Sequence, residues 1–163
     1  MRALKWIAIG MAALLLVTLG VTGYFFATAN VRIAAYKAEG MQATANQPLF
    51  EQLKAQVADE TFEGTLFQTG ELGSIEDYAF ITYTLRLSNQ CLVPIDMVEV
   101  RVVPGSGDAL QIGDLAVHSL GAQSQGDITA TILTAKDSHA IRELVVTYYV
   151  WGVSFTIQET YGG

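Results

Sequence analysis

Hydrophobic positions follow three successive patterns along the chain, and each predicts a different element. From Trp6 to Phe26 the chain is apolar apart from Thr18 and Thr22 and holds no charge and no Pro, Asn or Gln. As a helix rising 1.5 Å per residue, that run spans about 30 Å, the hydrocarbon thickness of a bilayer. It predicts a membrane-spanning helix, with Trp6, Tyr24 and Phe25 near its ends, where interfacial aromatics belong. The helix is expected to run on past Phe26 to about Ala38, until Gly40 stops it.

A shorter segment of period 3.6 follows. Asn46 is placed as an N-cap with Pro48 in the first turn, and Phe50, Leu53 and Val57 share one face. This reads as a short juxtamembrane amphipathic helix within residues 41–60, packed on the domain that follows it. The acids Glu51, Asp59 and Glu60 argue against an anionic membrane as the partner of that face.

From Thr61 the period becomes two. Odd positions are apolar in Ile81 to Leu87; Val98, Val100 and Val102 alternate with Glu99 and Arg101; Ile128, Ala130 and Ile132 alternate with Thr129 and Thr131. Val153, Phe155 and Ile157 repeat the pattern, whereas Leu144 to Trp151 is apolar on both faces, as a central or covered strand is. Phe62 to Phe67 and Asp114 to His118 are weaker strands, and Asp137 to Glu143 is expected to make one helical turn. Turn signals separate these runs at 70–74, 88–90, 104–108 and 121–126. About seven short strands with such spacing predict an antiparallel two-sheet sandwich. The chain thus divides into 1–40 (transmembrane signal-anchor and stalk), 41–60 (short helix) and 61–163 (β-sandwich).

Charge divides along the same line. Residues 1–40 hold four basic side chains against one acid, whereas residues 41–163 hold five against fifteen. So acidic a domain repels phosphate backbones, which excludes nucleic acid as a partner and disfavours a flat pose on an anionic leaflet. Arg2 and Lys5 before the apolar run, with Ala27-Thr28-Ala29 after it, also fit a signal peptide cleaved after Ala29. The run of about 21 residues exceeds the usual signal core, which favours retention as an anchor. Either reading places the domain outside the cytoplasm.

The single cysteine, Cys91, rules out an internal disulfide and a multi-cysteine zinc site; it reads as a small buried or turn-proximal residue. His118 and His139 have no second ligand at metal spacing, and Asp137-Ser138-His139 has triad residue types without triad separation. Gly105-Ser106-Gly107-Asp108 lacks a phosphate loop's lysine and reads as a hairpin turn. Two acidic groups, Glu71 with Glu76 and Asp77, and Asp108 with Asp114, are weighed as Ca²⁺ ligands; solvated loop acids are the commoner case. Tyr149 and Trp151 fall on one face of the long strand, either as packing aromatics or as a ligand platform.

Tyr83-Thr84-Leu85-Arg86-Leu87-Ser88-Asn89, then Pro94-Ile95-Asp96 and the strand Val98 to Val102, resembles the type-2 late-embryogenesis-abundant (WHy-like) domain. Gly113-Asp114-Leu115, the polar segment Gly121 to Gly126 and the closing Tyr149 to Phe155 extend the resemblance over about residues 62–160. The family's Asn-Pro-Asn is Asn89-Gln90-Cys91 here. The resemblance implies an immunoglobulin- or fibronectin-III-like sandwich, stress protection or membrane-tethered interaction, and no catalytic residues; the residues themselves give no reason to expect a cofactor or a metal. The expected function is a non-enzymatic, single-pass membrane protein displaying a binding module. Its expected partners are the bilayer through residues 6–26, and envelope proteins or small apolar ligands. The alternatives are a stress-protective structural protein without a defined partner, and a secreted protein after cleavage.

Overall fold

The computed structural model describes residues 2–27, 30–114 and 116–161. The cleavage position Ala29, and Leu115 of the Gly-Asp-Leu motif, lie outside the described residues. Helix α1, Arg2–Ala27, is continuous, and its stretch Leu4–Ala27 has mean hydropathy 2.1 with none of its most apolar window covered by protein. It is long and apolar enough to cross a membrane. Its hydroxyl at Thr18 donates back to the carbonyl of Leu14 at 2.9 Å, so that polar group is satisfied within the helix.

The helix does not continue to Ala38. Residues Val31–Gln42 form strand β1 instead. The segment holds three alanines and the helix-forming Arg32, Lys37, Glu39, Met41 and Gln42, but β1 pairs antiparallel with β3 (Tyr78–Asn89) from Val31 opposite Asn89 to Gln42 opposite Ala79. A whole ladder of backbone bonds outweighs a propensity of a few tenths of a kcal/mol per residue. Twelve extended residues carry the chain about 40 Å along the sheet. Helix α2, Gln47–Ala58, therefore starts at the far end of the sheet from α1 rather than beside it.

The remaining strands are β2 (Gly64–Leu66), β4 (Ile95–Val103), β5 (Asp108–Ile112), β6 (His118–Leu120), β7 (Gln125–Ala135), β8 (Arg142–Val150) and β9 (Val153–Tyr161). They build two antiparallel sheets, one ordered β1-β3-β7-β5-β2 and the other β6-β4-β8-β9. The facing sides carry the residues that alternation marks: Ile81, Tyr83, Leu85 and Leu87 of β3, and Ile128, Ala130 and Ile132 of β7. Opposite them lie Val98, Val100 and Val102 of β4 and Leu144, Val146, Tyr148 and Val150 of β8. The opposite face of the five-stranded sheet presents Phe80 and Leu133, and Phe50 and Leu53 of α2 bury against them with Ala43 and Leu110. Burying each such side chain is worth about 1.5–3 kcal/mol.

Three local expectations change. The segment Pro104 to Gly107 is not a hairpin: it carries the chain from β4 in one sheet to β5 in the other. No helical turn forms after Asp137: Lys136 and Asp137 make a turn closed by the Ser138 amide donating to the Ala135 carbonyl at 2.9 Å, and residues 138–141 lead irregularly into β8. Trp151 is not on a strand face with Tyr149, because Trp151 and Gly152, at φ +50° and +79°, make the two-residue turn between β8 and β9. Paired positive φ values are those of a type I′ hairpin, whose twist matches the strands it joins.

Candidate functional site

The β4 strand is irregular near its start. Its register shifts between Ile95 and Val98 against β6, and between Asp96 and Glu99 against β8, with Met97 at φ +50° in the bulge. Bulges re-aim the residues beside them. The neighbouring strand β6 is only three residues long and pairs with β4 at Ile95 and Val98 alone, which leaves the rest of that edge of β4 without a strand beside it. On the other side, Gly64 and Gly113 let β2 press onto the end of β5, and a Cβ on Gly113 would lie 2.2 Å from the Glu63 carbonyl oxygen.

Between these edges lies a cavity of about 380 Å³, lined by Val98, Val100, Ile112 and Ile128 from the core side and by Thr65, Gln111 and Thr129. Met97 and Val117 stand exposed at its rim. Its size is that of a small-ligand pocket, and its lining is mixed, with Glu99, Asp114, His118 and Tyr149 joining Gln111 and the threonines beside the apolar residues.

Gln111 has a second role. Its amide nitrogen donates to the Val100 carbonyl at 2.8 Å, and its carbonyl oxygen accepts from the Val102 amide at 2.8 Å. These are the two bonds a neighbouring strand would make to β4, which β6 is too short to supply. One side chain thus stands in for a strand.

At the mouth, His118 Nε2 lies 2.6 Å from Asp114 Oδ2, and Asp114 Oδ1 accepts from the Ala116 amide at 2.9 Å. Burial pushes the Asp114 carboxyl up, but the amide and the imidazole outweigh it and hold the group below the usual aspartate range. The carboxylate fixes the imidazole's orientation, leaving the ring to meet whatever enters. Among the described residues lining the cavity there is no serine or cysteine to act as its nucleophile.

The acids weighed as Ca²⁺ ligands are not brought together. Asp108 and Asp114 flank opposite ends of β5, and Asp108 is committed elsewhere. Both its oxygens accept from Arg142, at 2.7 Å from Nε and 2.6 Å from Nη2, and the Gly105 amide donates to Oδ2 at 2.7 Å. Burial alone would raise the Asp108 carboxyl, but the guanidinium and the amide lower it overall. Arg142 Nη1 also donates to the carbonyls of His139 and Ile141, at 2.7 Å and 2.6 Å. Ser138 is directed at the Ser106 carbonyl, 3.4 Å away. The Asp137-Ser138-His139 stretch thus serves the clamp between turns rather than a triad. Among the described residues, no three His, Cys, Asp or Glu side chains converge to hold a metal.

The α1 end of the sandwich holds a second cluster. Phe25 and Phe26 meet Trp151 edge-on at 5.4 Å and 5.7 Å between ring centroids, and Phe155 extends the cluster to Tyr148. Beside it, buried Asn89 ties the loops together: its amide group donates to the Val93 carbonyl at 3.0 Å and the Gly121 carbonyl at 2.8 Å, and its oxygen accepts from the Cys91 amide at 2.9 Å. Cys91 is buried there, and its sulfur accepts from the Asn30 amide at 3.3 Å. Pairing Asp114 with His118, Asp108 with Arg142, and Gln111 with β4 was beyond sequence reasoning, because each joins residues whose types alone are ordinary.

No protein-family model matches the chain, and no curated protein matches it in sequence.

Proposed function

We propose that the chain is a single-pass membrane protein that displays a non-enzymatic, immunoglobulin- or fibronectin-III-like sandwich outside the cytoplasm and works by binding. The observation that carries this reading is the cavity at the edge of the two sheets, beside the short strand β6. Its apolar residues suit the apolar body of a small ligand, or an apolar side chain of another envelope protein, and the polar part of its lining, with the His118–Asp114 pair at the mouth, suits a polar end group. The resemblance to type-2 late-embryogenesis-abundant domains is compatible with such a module, and α1 supplies the anchor.

The test is titration of the protein in nanodiscs with a neutral naphthylamine probe, corrected against empty nanodiscs. The expected result is saturable fluorescence that Val98→Trp, which fills the cavity, abolishes. Equal signal from both proteins refutes the cavity as the binding site. A C-terminal tag digested by protease added to intact cells supports outward display, and a membrane-bound but protected tag refutes it.

A further inference from the structure

We infer that the α1 end of the sandwich is seated in the bilayer interface, with Trp151, Val153 and Leu92 contacting the lipid, so that helix and sandwich meet the membrane as one body. The inference rests on α1 spanning the bilayer as proposed above. It adds a lipid-contacting surface on the sandwich itself.

Depth is the first argument. Trp6 to Phe26 covers about 30 Å of helix, so with Trp6 at one interface Phe25 and Phe26 reach the other. Trp151 packs against both phenylalanine rings and therefore lies at their depth.

Exposure is the second. Trp151 is 52% exposed, Val153 48% and Leu92 53%, although the strands behind them bury their apolar residues. Leu92 belongs to the same surface, because the loop that carries it is tied to the residue leaving the helix: the Gln90 amide donates to the Asn30 carbonyl at 2.9 Å. Three half-exposed apolar side chains therefore surround the exit of a helix built for lipid. An indole is apolar over most of its surface and carries one N–H donor, which suits the boundary between acyl chains and headgroups.

Backbone strain is the third. Position one of a type I′ turn favours Asn, Asp or Gly, and a bulky residue at φ +50° is disfavoured. Turn geometry alone does not select tryptophan at this position. Contact with α1 and with lipid gives it a reason to be there.

The contact is apolar and interfacial, not Coulombic. The sandwich is acidic: at this end the Asp127 carboxylate is paired with Arg86 at 2.7 Å and 2.8 Å, whereas Asp96, opposite Tyr149 in the ladder, is exposed and would repel an anionic headgroup. The partner is the headgroup and upper acyl region of a zwitterionic bilayer, with no demand for anionic lipid.

The test uses the full chain in phosphatidylcholine nanodiscs, with each tryptophan isolated in turn. In Trp6→Phe, Trp151 is the sole reporter, and in Trp151→Phe, Trp6 is. The expected result is that lipids brominated high on the acyl chain quench Trp151 several-fold more than lipids brominated near the bilayer centre, and that added salt leaves this unchanged. Leu92→Glu, at an exposed site that spares the fold, is expected to reduce the quenching of Trp151. Quenching of Trp6 without quenching of Trp151 overturns the seated sandwich and leaves the span standing. Quenching of neither overturns the span and the seating together.

Discussion

Asp108→Ala is expected to be the most damaging single substitution at the far end of the sandwich. The carboxylate is fully buried and the Arg142 side chain is 7% exposed. Removing the anion leaves a guanidinium out of water, with two of its donors still held by the His139 and Ile141 carbonyls and two without an acceptor. Breaking a buried pair from one side costs about 3–5 kcal/mol, about a fifth or more of the stability of an ordinary domain. Replacing both partners, as in Asp108→Leu with Arg142→Met, is expected to recover much of the loss, because no charge stays behind. Recovery is incomplete, since the two carbonyls lose their donor. Urea unfolding of the full chain in detergent micelles, followed by the far-ultraviolet strand signal, measures both variants. A loss below about 1 kcal/mol for Asp108→Ala, or a double variant no more stable than the single, refutes the clamp. The pH dependence follows from the same geometry. Because the Asp108 carboxyl is held below its ordinary value, its contribution is complete above about pH 4 and is lost as pH falls through the folded value. Asp108→Asn is expected to flatten that part of the acid limb.

Three further outcomes are expected. Gln111→Leu leaves the Val100 carbonyl and the Val102 amide without their partner and is expected to lower stability by about 1–3 kcal/mol, with faster hydrogen exchange at the Val102 amide; unchanged exchange there contradicts its role as a stand-in strand. Gly113→Ala drives a Cβ into the Glu63 carbonyl and is expected to lift β2 away and widen the cavity mouth, read as faster proteolysis within residues 61–70; unchanged proteolysis contradicts the close approach. Tyr83 is pushed up to about 12 by burial, with Arg142 lowering it and Asp108 raising it, and its hydroxyl donates to the Ala140 carbonyl at 2.9 Å. A raised tyrosine value means stability that is full below about pH 10 and declines as pH rises toward the folded value. An ultraviolet phenolate titration in which Tyr83→Phe removes no late-titrating group contradicts this assignment.

The strands that face each other across the core, β3 and β7 against β4 and β8, were legible from their apolar patterns. Period two in β3, β4 and β7 is a direct image of one face in the core and one outside, β9 keeps the period although its apolar face is only half covered, and the doubly apolar β8 does lie between two neighbours. β1 was hidden because its residues read as helix and only the free edge of β3, far away in sequence, makes it a strand. β5 was hidden for a different reason: Asp108, Ala109 and Leu110 are all buried around a bulge, so no alternation survives. The cavity was not legible at all. It arises from a shift in register at Met97, and register lies in the pairing of two segments rather than in either one.

The strand that leaves the helix also decides how the protein answers a pull. β1 begins where α1 ends and lies antiparallel along β3 over eleven paired positions. A load drawing the sandwich away from α1 acts along the axis of β1 and slides it against β3. Every rung of that ladder then bears the force at once, instead of parting one after another as in a strand peeled from its end. The chain is built to stay folded under tension applied through its own helix.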